Sequence, residues 1–356
     1  MERTLYSADH EQYRETVRDF LAREVAPYKD KWDEDRWIDR EVYAKAAKQG
    51  LYALQIPEQY GGSGEADYRF RMVVCEEVAK INALSFGLTV ALQDDLVLHY
   101  LLDLTNEEQK ARWLPGFASG EIIGALAMTE PGTGSDLQGI RTTATRDEMT
   151  GCSTDRRPSF PVESWLIWSW LRQKTDPDAG SRGFTLFVVE RDTQGFERGR
   201  KLDKIGLPSQ DTAELFFQEA RIPDANRLGE VGQGLQSLMS HLPRERLGVS
   251  ATAMATTRAI FDITVEYCKE RRAFNQAIAD FQHIRFELAE MSTEIDVAET
   301  YVDRSVLAYN EGNLTAVDAA KGKCTSVSYR SASLIGVCNF MVGTDTCLST
   351  LSEKPT

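Results

Sequence analysis

The apolar residues of this chain change their period twice, and that switch constrains the fold more than any other feature. From Ser7 to about Ser119 they recur at helical spacing, as in Tyr13, Val17, Phe20, Leu21 and Val25, and again in Val74, Val78 and Ile81. Pro57 with Gly61-Gly62-Ser63-Gly64, and the acidic start Thr105-Asn106-Glu107-Glu108, divide this third into helices of roughly 10 to 20 residues. After Glu121 the pattern turns to short β-forming runs bounded by Gly, Pro and Asp, such as GFTLFVVE at 183–190 and AELFF at 213–217. Past Gly234 helical spacing returns over 251–271 and 281–311. The expectation is an α+β chain: an N-terminal helical bundle over 1–120, a middle β-barrel or sandwich domain over 121–232, and a C-terminal four-helix bundle over 233–356.

Charge narrows the function. Fifty-five acidic residues against 41 basic ones give a net charge of -14, which repels nucleic-acid phosphates and an anionic membrane surface. No apolar run approaches the roughly 18 residues of a membrane span, and the opening MERTLYSADHEQYRET lacks a secretory h-region. These features point to a cytoplasmic location in a bacterial cell, or the mitochondrial matrix in a eukaryotic one. The six cysteines contain no C-x-x-C pair and the four histidines stand apart, so no metal site is expected.

The sharpest local feature is AMTEPGTGSD at 127–136. Its glycines let backbone amides converge, and Thr129, Thr133 and Ser135 add hydroxyls, which suits a flavin edge or a phosphate. A plain Gly-rich turn has the same composition.

Four segments together carry a resemblance: AMTEPGTGSDLQGIRTTA at 127–144, GFERGRKLDKIGLPSQDTAELFF at 195–217, LPRERL at 242–247 and RRAFNQAIADFQ at 271–282. In content, order and spacing they resemble the acyl-CoA dehydrogenases, over about residues 1–147 and 174–323. The resemblance implies FAD, a homotetramer or homodimer, an acyl-CoA substrate and an electron-transferring flavoprotein as acceptor. It implies Glu245 as the base that removes the α-proton of the thioester, as in the long-chain and isovaleryl-type branch. Without it, Glu245 reads as a surface carboxylate balanced by Arg244 and Arg246. A base for this reaction needs a dry pocket, which strengthens a carboxylate toward a weakly acidic C–H. Hydrogen bonds to the thioester oxygen make that proton more acidic.

The resemblance further implies FAD contacts at Leu126, Ala127, Met128, Thr129, Gly134 and Ser135, and, across a subunit interface, at Arg271, Phe274 and Gln282. It implies acyl-CoA contacts at Ser135, Ser181, Arg182, Pro243, Arg244 and Arg246. Asn275 stands where the family has glycine, a substitution that still tolerates positive φ. Gln236 replaces an aromatic residue, which bears on acyl-chain length. An acyl-CoA oxidase, with dioxygen as acceptor, shares all these features.

The likeness lapses at 149–173, with three tryptophans at 165, 168 and 170, and again from Cys324 onward. Neither stretch shows the expected alternation or family motif. Back-translation into a shifted frame restores a family-like text in both, which motivates a hypothesis of a compensated pair of single-base shifts near 148 and 173 and an uncompensated one near 323. A chain of that origin lacks a strand over the flavin and the last helices of a truncated C-terminal bundle, and binds FAD poorly.

Overall fold

The computed structural model describes residues 3–130, 132, 136, 139–140, 142–147, 151–154, 159–160, 166–173, 180–210 and 212–341, with side chains described at these positions except 145–147, 151–154, 159–160, 166–173, 181 and 329–341. Along them run α1 Ala8–Glu24, α2 Lys29–Asp35, α3 Glu41–Lys48, α4 Tyr68–Lys80, α5 Leu84–Ala91, α6 Leu98–Leu104 and α7 Glu107–Ala118. The strands β1 Gly124–Ala127, β2 Thr143–Asp147, β3 Gly151–Thr154, β4 Ser159–Phe160, β5 Leu166–Gln173, β6 Phe184–Glu190, β7 Phe196–Lys201, β8 Ala213–Phe217 and β9 Arg227–Leu228 come next. The chain continues through α8 Gly234–Glu270, the hairpin strands β10 Arg272–Ala273 and β11 Gln276–Ala277, α9 Gln282–Asn310 and α10 Ala316–Met341. Among the described residues no helix is long and apolar enough to cross a membrane.

The chain forms two compact units. The first comprises Met1–Asp30, Asp67–Gly87 and Pro243–Thr356. Its core joins Met72 and Cys75 of α4 to Leu247, Ala251 and Met254 of α8 and to Ile295, Ala298, Val302 and Val306 of α9. The α8 and α9 positions repeat every three or four residues, so each helix turns one apolar stripe inward. At α1 the start is set by Ser7, whose backbone N–H donates to His10 Nδ1 at 3.1 Å, while Asp67 caps α4 by accepting from Arg69 N at 2.9 Å.

The second unit comprises Lys31–Ala66 and Leu88–Leu242. One sheet has the order β3-β2-β5-β6-β9, with β1 also paired to β5, and another has the order β4-β8-β7. Ala127, Ala144, Phe187 and Val189 from the first sheet share an apolar layer with Phe196, Leu215 and Phe217 from the second. Among the described residues the middle β region is therefore sandwich-like, the second of the two expected forms, and no closed barrel is found. Closure needs matched strands all round, yet β9 is two residues long and the β7–β8 ladder slips between Arg198 and Lys201.

Strand character is present where the sequence offered no alternation. Leu166–Gln173 runs as β5, parallel to β1 and β2 and antiparallel to β6 along seven residue pairs from Leu166↔Glu190 to Arg172↔Phe184. Ladder bonds are made by backbone, so a run of Trp, Ile and Leu can hold a central position without a period of two. Likewise α10 passes through Cys324 to Met341, where a loss of helix was expected.

Candidate active site

In the second unit the strand that precedes the Gly-rich segment is held by an irregular turn. Leu92–Val97 is π-helical, lying between α5 and α6, and Gln93, Asp94 and Asp95 inside it are all buried. Gln93 clasps the first residue of β1: its Oε1 accepts from Gly124 N at 2.7 Å and its Nε2 donates to Gly124 O at 3.1 Å. Asp94 accepts from Ala53 N at 2.6 Å, where Ala53 has a φ of 65°. A wide turn of this kind re-aims side chains that a regular helix would point elsewhere. Nothing in the sequence marked Gln93, although three polar residues inside an apolar helical run were the available signal.

The strand so held delivers Leu126 and Ala127, both buried, to the half-buried Met128 and Thr129. Beyond them Glu130 accepts from Thr142 N at 2.7 Å and from its hydroxyl, which ties the two ends of the loop. Thr133, Gly134 and Ser135 lie outside the described residues. Arg182 is exposed on the short turn Gly180–Gly183, and the Ser181 side chain lies outside those described.

In the same unit His241 joins the first part of α8 to α6. Its Nε2 lies 3.0 Å from Asp103 Oδ2 and its Nδ1 2.6 Å from Ser237 O, and the ring stacks on Tyr100 at 4.5 Å.

In the first unit Pro243, Arg244, Glu245 and Arg246 follow one another on α8. Pro243 sits inside the helix, where it offers no N–H to the carbonyl of Met239. Arg244 is 6% exposed, whereas Glu245 and Arg246 are half-buried. The guanidinium of Arg244 donates to Tyr309 Oη and lies 5.3 Å from the Tyr68 ring centre and 5.0 Å from that of Tyr309. That location is a slot inside the bundle and not a solvated helix face.

Arg271, Phe274 and Gln282 collect at the far end of α8. Twenty-six residues separate Glu245 from Arg271, about 39 Å at the helical rise, so the two groups do not meet within this unit. Phe274 and Asn275 form the tip of the β10–β11 hairpin with φ values of 51° and 67°. Asn275 thus makes the left-handed turn for which glycine is usual. Phe274 is 90% exposed, Arg271 and Gln282 are exposed as well, and Phe281 packs edge-on to the Phe274 ring at 6.2 Å. A planar cation, a flat apolar ring and a carboxamide facing outward form a donor set that fits the diphosphate and adenine of a dinucleotide.

Models of two domains match the chain: the acyl-CoA dehydrogenase N-terminal domain over residues 7–121 and the C-terminal domain over residues 232–335. The mitochondrial long-chain specific acyl-CoA dehydrogenase of Sus scrofa is 36% identical over 351 residues, covering 95% of this chain and 80% of that protein. The chain belongs to the acyl-CoA dehydrogenase family. An acyl-CoA dehydrogenase of Geobacillus kaustophilus superposes with a TM-score of 0.92 at 37% identity, covering 96% of this chain and 90% of that one. Butyryl-CoA dehydrogenase of Megasphaera elsdenii superposes with a TM-score of 0.90 at 28% identity, covering 100% and 92%. Acyl-CoA dehydrogenases are oxidoreductases acting on CH–CH groups, and family members are FAD flavoproteins of fatty acid oxidation.

Proposed function

We propose that this protein catalyses FAD-dependent α,β-dehydrogenation of a fatty acyl-CoA to the trans-2-enoyl-CoA, with Glu245 as the base. The observation that carries the assignment is the half-buried position of Glu245 in the LPRERL turn of a helix whose inner face is core. A carboxylate partly withdrawn from water, and closed off further by an acyl chain, is a stronger base than a solvated one. When bound, FAD supplies the hydride acceptor. Leu126 to Thr129, with Gly134 and Ser135, would hold its flavin end, and Arg271, Phe274 and Gln282 would serve the diphosphate end in a neighbouring protomer, a role that their exposure supports. Ser181, Arg182, Pro243 and Arg246 would line the acyl-CoA path.

The spans matched by the two family domains support a chain built of three consecutive parts, 1–120, 121–232 and 233–356. The greater identity to the long-chain relative than to the butyryl enzyme supports a medium-to-long acyl chain. An electron-transferring flavoprotein takes the electrons, and the working form is a homo-oligomer. The test is anaerobic addition of a saturated acyl-CoA to the FAD-loaded protein. The flavin band should bleach, and Glu245→Gln should slow bleaching by about 10²–10⁴-fold. Bleaching at the parent rate in Glu245→Gln removes the assignment, and rapid peroxide release in air would instead identify an acyl-CoA oxidase.

A further inference from the structure

We infer that Arg244 is a positioning residue for Glu245, acting as a clamp that sets the rotation of α8 about its own axis at the base. The inference rests on the reading of Glu245 as that base. Arginine is seldom buried, yet Arg244 is 6% exposed and lies on the inward stripe of α8 with Leu247, Ala251 and Met254. Two tyrosine rings from different helices lie beside it, Tyr68 of α4 and Tyr309 of α9, with their centres 5.4 Å apart in an edge-to-face pair. The chain beside the two rings is tied together: the Tyr68 backbone N–H donates to Asn310 Oδ1 at 2.9 Å, and Asn310 Nδ2 donates to Asp67 Oδ1 at 2.6 Å. A planar cation packed against one side of an interlocked aromatic pair, with one N–H directed to Tyr309 Oη, has little freedom to turn.

This clamp stands where the helix has lost one of its own restraints. Pro243 removes a ladder bond immediately before Arg244, so the backbone alone holds the rotation less firmly at this turn. Successive residues on a helix point about 100° apart, and fixing Arg244 in its slot therefore fixes the direction in which Glu245 leaves the helix. The resemblance implies an acyl-CoA contact at Arg244, and the positioning role inferred here goes beyond that contact.

The test compares Arg244→Met, Arg244→Lys and Tyr309→Phe in the FAD-loaded protein with the parent. Three readouts are needed: kcat and KM for an acyl-CoA, the pH profile of kcat, and exchange of the substrate α-proton in D2O by mass spectrometry. Arg244→Met keeps much of the volume without the charge and should lower kcat and α-proton exchange by about 100-fold, the order expected of a base displaced by about 1 Å, while KM stays within about 2-fold. Arg244→Lys should give no rescue, because an ammonium lacks the planar fork. Tyr309→Phe keeps the ring and should lose about 3- to 10-fold in both rates, with an altered pH profile. If Arg244→Met fails to fold, Tyr309→Phe decides. Parent-like rates and pH profile in folded Tyr309→Phe would overturn the clamp, and so would a rise in KM of about 10-fold or more at unchanged kcat in Arg244→Met, which marks a substrate contact. A fully active Glu245→Gln would instead overturn the assignment of the base.

Discussion

Asp67 shows how much one side chain can organise when its acceptor sites are filled from several directions. It receives Arg69 N at 2.9 Å, the Arg69 guanidinium at 2.6 Å, Asn310 Nδ2 at 2.6 Å and the ring of His10 at 3.2 Å. Burial pushes this carboxyl group upward, but the hydrogen bonds from Arg69 and Asn310 outweigh that effect and hold it at about 2. Because the folded value lies below the unfolded one, the stabilisation is complete above about pH 4 and is lost as pH falls through about 2. Asp67→Asn should therefore melt below the parent at pH 7, with the gap narrowing toward pH 2; an equal gap at both ends of a pH series of thermal melts would refute this linkage. Gln93 makes a neutral counterpart. Its two bonds to Gly124 are buried, so Gln93→Ala removes the side-chain partner of both the N–H and the C=O at the start of β1. Urea unfolding should report a loss of about 1–3 kcal/mol, and a change under half of that would mean that other groups replace the carboxamide.

Among the elements, the β10–β11 hairpin carries the most unusual local conformation. A two-residue turn with both central residues at positive φ matches the right-handed twist of its strands, but a bulky phenylalanine there is strained. The strain is coupled to exposure, since the Phe274 ring stands 90% in solvent. Phe274→Gly should raise the melting temperature of flavin-free protein by relieving the turn, and should lower the flavin retained through gel filtration by removing the ring. Undiminished flavin would show that the ring has no part in cofactor binding. Helices α8 and α9 were legible in the sequence because a stripe repeating every three or four residues is a local signal. The π-helical turn at Leu92–Val97 was not legible, since its residues differ from those of an ordinary helix only in what they contact. Strand β5 was not legible for a related reason: its place is set by backbone pairing with β1, β2 and β6, which leaves no alternation in the text.

For the molecule as a whole, the open question is what the two segments without family likeness do to cofactor binding. The backbone of Leu166–Gln173 occupies the centre of a sheet, and the C-terminal domain match runs to residue 335, so the fold extends through parts of both. The frame-shift hypothesis nevertheless makes a definite forecast. Gene sequencing should find single-base shifts near codons 148, 173 and 323 relative to close homologues, and a frame-corrected chain should hold more FAD per mole than this one by its absorption band. Clean unshifted codons, or equal flavin content in the two proteins, would end that hypothesis.

What the sequence by itself determined was the family, the α-β-α order and the positions of the motif residues, because each of these is written in contiguous text: a period, a Gly-rich loop, an LPRERL turn. Tertiary structure decided what those residues face. That Arg244 packs against the Tyr68–Tyr309 pair and that Gln93 anchors the strand before the Gly-rich loop both depend on partners far apart in the chain. A tyrosine at position 68 and another at 309 form no pattern until the bundle packs them together, and a guanidinium is driven into a core only when such partners are already there to receive it.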